Sequence, residues 1–190
     1  LLAGGLREFT VRGISLLGGH TTEGEELTVG YTVLGQLSGA TPLMKGNLQP
    51  GDRLILTKPL GSGVLLAAHM QALCRGEWID GMLSNMLIAN AEATRIAREF
   101  HASAVTDVTG FGLAGHLLEM LDASQVGAEI SLAAIPLLAG FAELSAQSIR
   151  SSLDPANRLS AERFQYQIND FSKVVAYDAL FDPQTSGGIL

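Results

Sequence analysis

The residues best placed for chemistry are a carboxylate and several glycines at the ends of apolar runs. Ser103 to Val108 reads as a strand whose end carries Asp107, and Thr109-Gly110-Phe111-Gly112 turns the chain toward a helix. A carboxylate there lies on the usual ligand side of α/β layers. It can hold Mg²⁺, because a hard cation takes oxygen ligands and needs only one or two protein carboxylates beside substrate phosphates. The same residue type opening a glycine turn also serves as a plain cap, so both readings stand on the residues alone.

Gly18-Gly19-His20-Thr21 follows an apolar run, so side-chain-free backbone can approach a ligand while His20 and Thr21 offer donors; a tight turn with a solvated His has the same pattern. Lys58-Pro59-Leu60-Gly61-Ser62-Gly63 outlines a phosphate loop but lacks the Walker spacing, which favours a structural turn with Ser62 as the helix-capping side chain. Asp182-Pro183-Gln184-Thr185-Ser186-Gly187-Gly188 is a polar, glycine-containing segment between apolar stretches, suited to a turn or an anion-binding nest, and its role stays unassigned. Cys74, at the end of an amphipathic segment with no His near it in sequence, reads as an inert thiol. His69, His101 and His116 are too far apart for a zinc site.

Around these residues the elements alternate. A helix end over residues 1–9 precedes a short strand from Gly13 to Leu17, and Leu27 to Leu37 alternates as a long strand. Ser38 to Asp52 is rich in turn formers, which places a domain boundary near its start, between residues 1–41 and 42–190. Strands follow at Arg53 to Thr57, Ser103 to Val108 and Ala128 to Ile135. Helices are expected over Val64 to Cys74, Gly81 to Phe100, Leu113 to Leu121 and Leu137 to Ser148, with a polar loop from Ser151 to Ala161. The last apolar run stops at Ile189-Leu190 and reads as a truncated strand.

Composition narrows the classes. With 190 residues, 47% of them hydrophobic, the chain can bury a core, yet no apolar run approaches the ~20 residues that span a bilayer. One cysteine and no basic leader favour a reducing, cytoplasmic setting. A net charge of −7 with 12 scattered basic residues argues against a generic nucleic-acid binder. An anionic substrate must then be met by backbone N–H groups, helix N-termini or a bridging divalent cation, a scheme that the 22 glycines suit.

In this order, the blocks Gly18-Gly19-His20-Thr21, Lys58 to Gly63, Asp107 to Gly112 and Asp182 to Gly188 resemble the signature segments of the selenophosphate synthetase (selenide, water dikinase) family. The first two blocks are shared loosely with aminoimidazole ribonucleotide synthetase and hydrogenase-maturation relatives, and the last two together are more specific. The resemblance implies a homodimeric, cytoplasmic, ATP- and Mg²⁺-dependent enzyme that converts selenide, ATP and water into selenophosphate, AMP and orthophosphate. It implies an α/β (α+β) C-terminal domain of the aminoimidazole ribonucleotide synthetase type, a mixed sheet with a ferredoxin-like core and packed helices. Residues 1–41 would end an N-terminal ATP-binding and dimerisation domain.

By position, Asp107 matches the one magnesium-binding carboxylate of the family's C-terminal domain, and Gly18, Gly19 and His20 match a loop that touches ATP across the dimer. The family's nucleophile and lysine match no position here, so no catalytic residue is assigned and the chain alone is expected to be inactive. Thr22-Glu23-Gly24-Glu25-Glu26 is more similar to forms fused to a flavoprotein dehydrogenase. Two alternatives remain: another ATP-dependent member of the superfamily, such as a purine-pathway ligase, or a non-catalytic dimerisation module that uses Leu27 to Leu37.

Overall fold

The computed structural model describes residues 2–37, 41–165 and 175–190. These fall into two compact units, Leu1–Thr41 and Pro42–Leu190. The first contains helix α1 (Leu2–Val11) followed by largely exposed chain without regular secondary structure. Its Phe9 ring meets Tyr31 edge-on with centroids 5.3 Å apart.

The second unit is built from helices α2 (Ser62–Met70), α3 (Gly76–Met86), α4 (Ala91–Glu99), α5 (Gly112–Ser124), α6 (Phe141–Ala146), α7 (Asp154–Asn157) and α8 (Val175–Ala179). Short 3₁₀ turns occupy Leu132–Ala134 and Arg158–Arg163. Helix α5 shows why a core forms. Leu113, Ala114, Leu117 and Met120 recur at helical spacing and are all buried, beside Leu65, Phe141, Leu144 and Phe181. Each such large side chain taken from water contributes roughly 1.5–3 kcal/mol.

The mixed sheet with a ferredoxin-like core is not what the described residues form. Among the described residues there is no strand, only an isolated parallel bridge between Leu60 and Leu137 and an antiparallel one between Asp107 and Ile189. The reason is visible at each segment. Leu27, Val33 and Leu34 lie open to solvent, so the alternation of Leu27 to Leu37 buries no face. At Arg53 to Thr57 the pairing ends after one bond: the Thr57 amide donates to the Ile189 carbonyl, but the Ile189 amide returns to the Thr57 hydroxyl instead of a carbonyl. Thr106 and Leu190 exchange two backbone bonds and the Val108 amide reaches the Gly188 carbonyl, a pairing too short to propagate. Ala128 to Ile135 coils into the turn Leu132–Ala134. Gly13 to Leu17 stays exposed, and the Gly13 and Ile14 amides turn back to the Thr10 and Phe9 carbonyls of α1 instead of entering a ladder.

Helix limits also differ. The helix predicted from Gly81 to Phe100 is two helices, α3 and α4, broken at residues 87–90. The break frees the Ile88 carbonyl for the buried Lys58 ammonium, at 2.6 Å, and lets the Asn90 side chain donate to the Gly187 carbonyl at 2.9 Å. Helix α2 stops at Met70, just before Ala72 with φ of 57°. Helix α6 begins only at Phe141, after Gly140, and covers the middle of the predicted Leu137 to Ser148. The polar segment Ser151 to Ala161 is ordered into α7 and the turn that follows, where Arg158 bridges Asp154 and Asp178.

Candidate functional site

Three stretches of the second unit meet: Lys58 to Gly63, Thr106 to Gly112, and Asp182 to Leu190. Helix α2 presents N–H groups without intrahelical partners at its start, which need acceptors. Ser62 does not cap it, contrary to the sequence reading, since α2 has no local side-chain cap. The acceptors come from far along the chain. Gln184 Oε1 accepts from the Gly61 amide at 3.1 Å, the Ser62 amide at 3.3 Å and the Ser62 hydroxyl at 3.2 Å. Asp182 Oδ2 accepts from the Gly63 amide at 3.0 Å. The Thr185 amide donates back to the Ser62 hydroxyl at 2.8 Å. Sequence reasoning missed this role for Asp182 and Gln184 because the partner lies 119 or more residues away.

Asp182 is 2% exposed, and its Oδ1 has no hydrogen-bond partner among the described residues. Burial pushes its carboxyl from an ordinary 3.8 up to about 7, against the lowering effect of the Gln184 and Gly63 hydrogen bonds. Lys58, also buried, donates to the Ile88 and Ser186 carbonyls, and burial lowers its pKa. It is a structural pin rather than a phosphate-facing group. Cys74 is half-buried, and burial raises its pKa, the state of an unreactive thiol.

Asp107 is held from both sides. The bridge to Ile189 and the bonds of Thr106 and Val108 fix its backbone, while the Thr109 carbonyl accepts from the Gly112 and Gln184 amides. Gly112, at φ of 68°, could not be another residue without cost, because a Cβ there would lie 2.7 Å from the Leu180 carbonyl oxygen. The Asn157 amide donates to the Gly110 and Phe181 carbonyls, so the segment predicted as a loop helps hold the turn. On this frame the Asp107 side chain is exposed and makes no hydrogen bond or ion pair with the described residues. It is therefore not a buried cap.

His116, one turn into α5, is buried beside the Asp107 turn. Its Nε2 lies 3.2 Å from the Thr109 hydroxyl, and Glu119 stands 3.7 Å from its Nδ1, too far for a hydrogen bond. Burial lowers the His116 pKa, outweighing the raising influence of Glu119 and Asp107. Among the described residues no group of three His, Cys, Asp or Glu side chains could enclose a metal ion.

Gly18, Gly19 and His20 belong to the first unit, whereas Asp107 belongs to the second. All three are exposed, and nothing lies within 4 Å of where a Cβ on either glycine would stand. Packing in this unit does not require those glycines. An apolar groove of about 710 Å³, lined by Leu48, Leu54, Leu117, Ile130 and Leu190 among others, includes none of Lys58, Asp107, Thr109 or Asp182.

Residues 49–164 match the family described as AIR synthase related protein, C-terminal domain. The chain belongs to this family. Over its full length this AIR synthase related chain is 38% identical to the selenide, water dikinase of Geobacter metallireducens, covering 55% of that protein. It is likewise 38% identical to that of Pelobacter propionicus and 35% to that of Clostridioides difficile, covering 54% of each. The chain spans about half the length of the curated relatives it matches. The resemblance carried by the four blocks thus extends along the whole AIR synthase related chain, and no helix among its described residues is long and apolar enough to cross a membrane.

Proposed function

We propose that this chain is the part of a selenide, water dikinase that presents one magnesium-binding carboxylate, Asp107, to a bound nucleotide. The observation that carries the reading is Asp107 itself, exposed and unpartnered among the described residues at the end of a segment whose backbone is pinned by Gly188 to Leu190. The full-length similarity to selenide, water dikinases supports the reaction class.

Phosphoryl transfer depends mostly on positioning and charge neutralisation. Magnesium, when bound, offsets the charge on phosphate oxygens. Asp107 would hold the cation through its carboxylate, the other ligands coming from phosphate, water and carboxylates outside this chain. Gly18 and Gly19 leave backbone N–H groups open to a phosphate, and His20 adds a side-chain donor. In an acidic chain such fixed donors take the place of clustered lysines. The reaction would consume selenide, ATP and water in a cytoplasmic homodimer that pairs through the domain ending in residues 1–41. Catalytic groups lie outside this chain.

The test is a chimera in which this chain replaces the matching 55% of the Geobacter metallireducens selenide, water dikinase. Selenide-dependent AMP release by the chimera, and none by the 190-residue chain alone, is expected. A folded chimera that binds ATP but releases no AMP with selenide would remove the reading.

A further inference from the structure

Buried imidazoles usually satisfy both ring nitrogens, and His116 does not. Its Nε2 shares a hydrogen bond with the Thr109 hydroxyl at 3.2 Å, whereas Nδ1 is buried without a hydrogen-bond partner among the described residues. The ring cannot swing freely, since Phe111 packs 5.5 Å away at a tilt of 43° and α5 fixes its backbone. Leaving one nitrogen unsatisfied costs free energy, so the orientation is held by what the other nitrogen does. That other nitrogen holds Thr109.

Thr109 is where the framework of the turn converges. Its carbonyl receives the amides of Gly112 at 3.0 Å and Gln184 at 2.9 Å, tying α5 and the Asp182 to Gly188 segment to one residue. Two positions earlier, Asp107 leaves this framework for solvent. The side chain of Thr109 would rotate freely without a partner, and His116 supplies its hydrogen bond among the described residues.

We infer that His116 is a positioning residue, which through the Thr109 hydroxyl holds the turn that aims the Asp107 carboxylate. The Lys45 to Glu119 ion pair, 2.8 Å long and on the next turn of α5, closes the outer side of the ring. His116 itself touches no substrate. The inference rests on the reading of Asp107 as a magnesium ligand, and it adds a residue that sets the affinity of that ligand.

The test has two readouts. Amide hydrogen exchange on the 190-residue chain follows Gly112 and Gln184, whose N–H groups both end on Thr109. In His116→Ala and His116→Asn these amides should exchange about tenfold faster, whereas His116→Gln, whose terminal amide reaches the place of Nε2, should stay within about twofold of the parent. Thr109→Val should match His116→Ala, and the double variant should add nothing further, since both remove one hydrogen bond. In the chimera, His116→Ala should raise the magnesium concentration for half-maximal rate about fivefold at nearly unchanged maximal rate, with His116→Gln restoring it.

Unchanged exchange in His116→Ala and Thr109→Val, or additive effects in the double variant, would overturn the inference. Equal loss in His116→Gln and His116→Ala would do so too, as it would mean that the ring acts only by filling space. Should His116→Ala fail to fold, Thr109→Val and His116→Gln still decide. If Asp107→Asn leaves the magnesium dependence of the chimera untouched, the reading of Asp107 fails, while the exchange data separately judge the hold of His116 on Thr109.

Discussion

The Asp182 carboxylate accepts the Gly63 amide at 3.0 Å, closing the N-terminus of α2 with a residue 119 positions away. A free helix start is a common anion site. Here protein oxygens fill it, so α2 serves the architecture of the Asp107 turn rather than a phosphate.

Asp182 makes stability depend on pH. Its carboxyl titrates at about 7 in the folded chain against an ordinary 3.8, so the folded state binds the proton more tightly than the unfolded state. Folding stability is therefore highest below about pH 4, as far as this group is concerned, and this contribution falls as pH rises to about 7, then levels off. Asp182→Asn keeps the Gly63 and Gln184 contacts without the charge, and should flatten that slope, so that its stability relative to the parent rises from pH 5 to pH 8. Urea unfolding at pH 5 and pH 8 checks this; an equal slope in the variant would refute the assignment.

Gln184→Ala removes the acceptor of the Gly61 and Ser62 amides and leaves them buried. The expected loss is about 2–4 kcal/mol, larger than for a surface glutamine such as Gln71, whose side chain bonds only the Ala67 carbonyl. Denaturant midpoints of the two variants make the comparison.

Gly112→Ala should cost about 2–4 kcal/mol, because the new Cβ meets the Leu180 carbonyl oxygen while φ stays at 68°. Gly110→Ala, with open space around its position, should cost less than about 1 kcal/mol. Thermal unfolding of the pair separates turn geometry from a general dislike of side chains there.

Lys58→Met strips the Ile88 and Ser186 carbonyls of their charged donor. The break between α3 and α4 should then loosen, seen as faster amide exchange at Leu87 and Ile88, with about 1–3 kcal/mol lost overall. Loss without local loosening would mean that Lys58 supports the core in some other way.

Sequence reading found the Asp107 turn because its signal is local: an apolar run, one carboxylate and glycines in sequence. Cys74 was legible for the same reason. The cap on α2 was not, since Ser62 offers a plausible local cap and nothing near it points to Asp182 or Gln184. The strands were overread. Alternation such as that of Leu27 to Leu37 describes side chains that suit a pleated, half-buried surface, but the partner that completes a ladder is not encoded within the segment. Thr57 shows the limit directly, its hydroxyl taking the amide that a strand would pass to a carbonyl. The break at residues 87–90 depends on Lys58 and Gly187, again distant in sequence.

The most direct measurement is the magnesium dependence of selenide-driven AMP release by the chimera, compared between the parent and its Asp107→Asn variant at matched fold stability. The predicted result is a rate lower by roughly a hundredfold in the variant, partly recovered at high magnesium, because the cation loses a carboxylate oxygen. An unchanged rate and an unchanged magnesium requirement would contradict the assignment of Asp107.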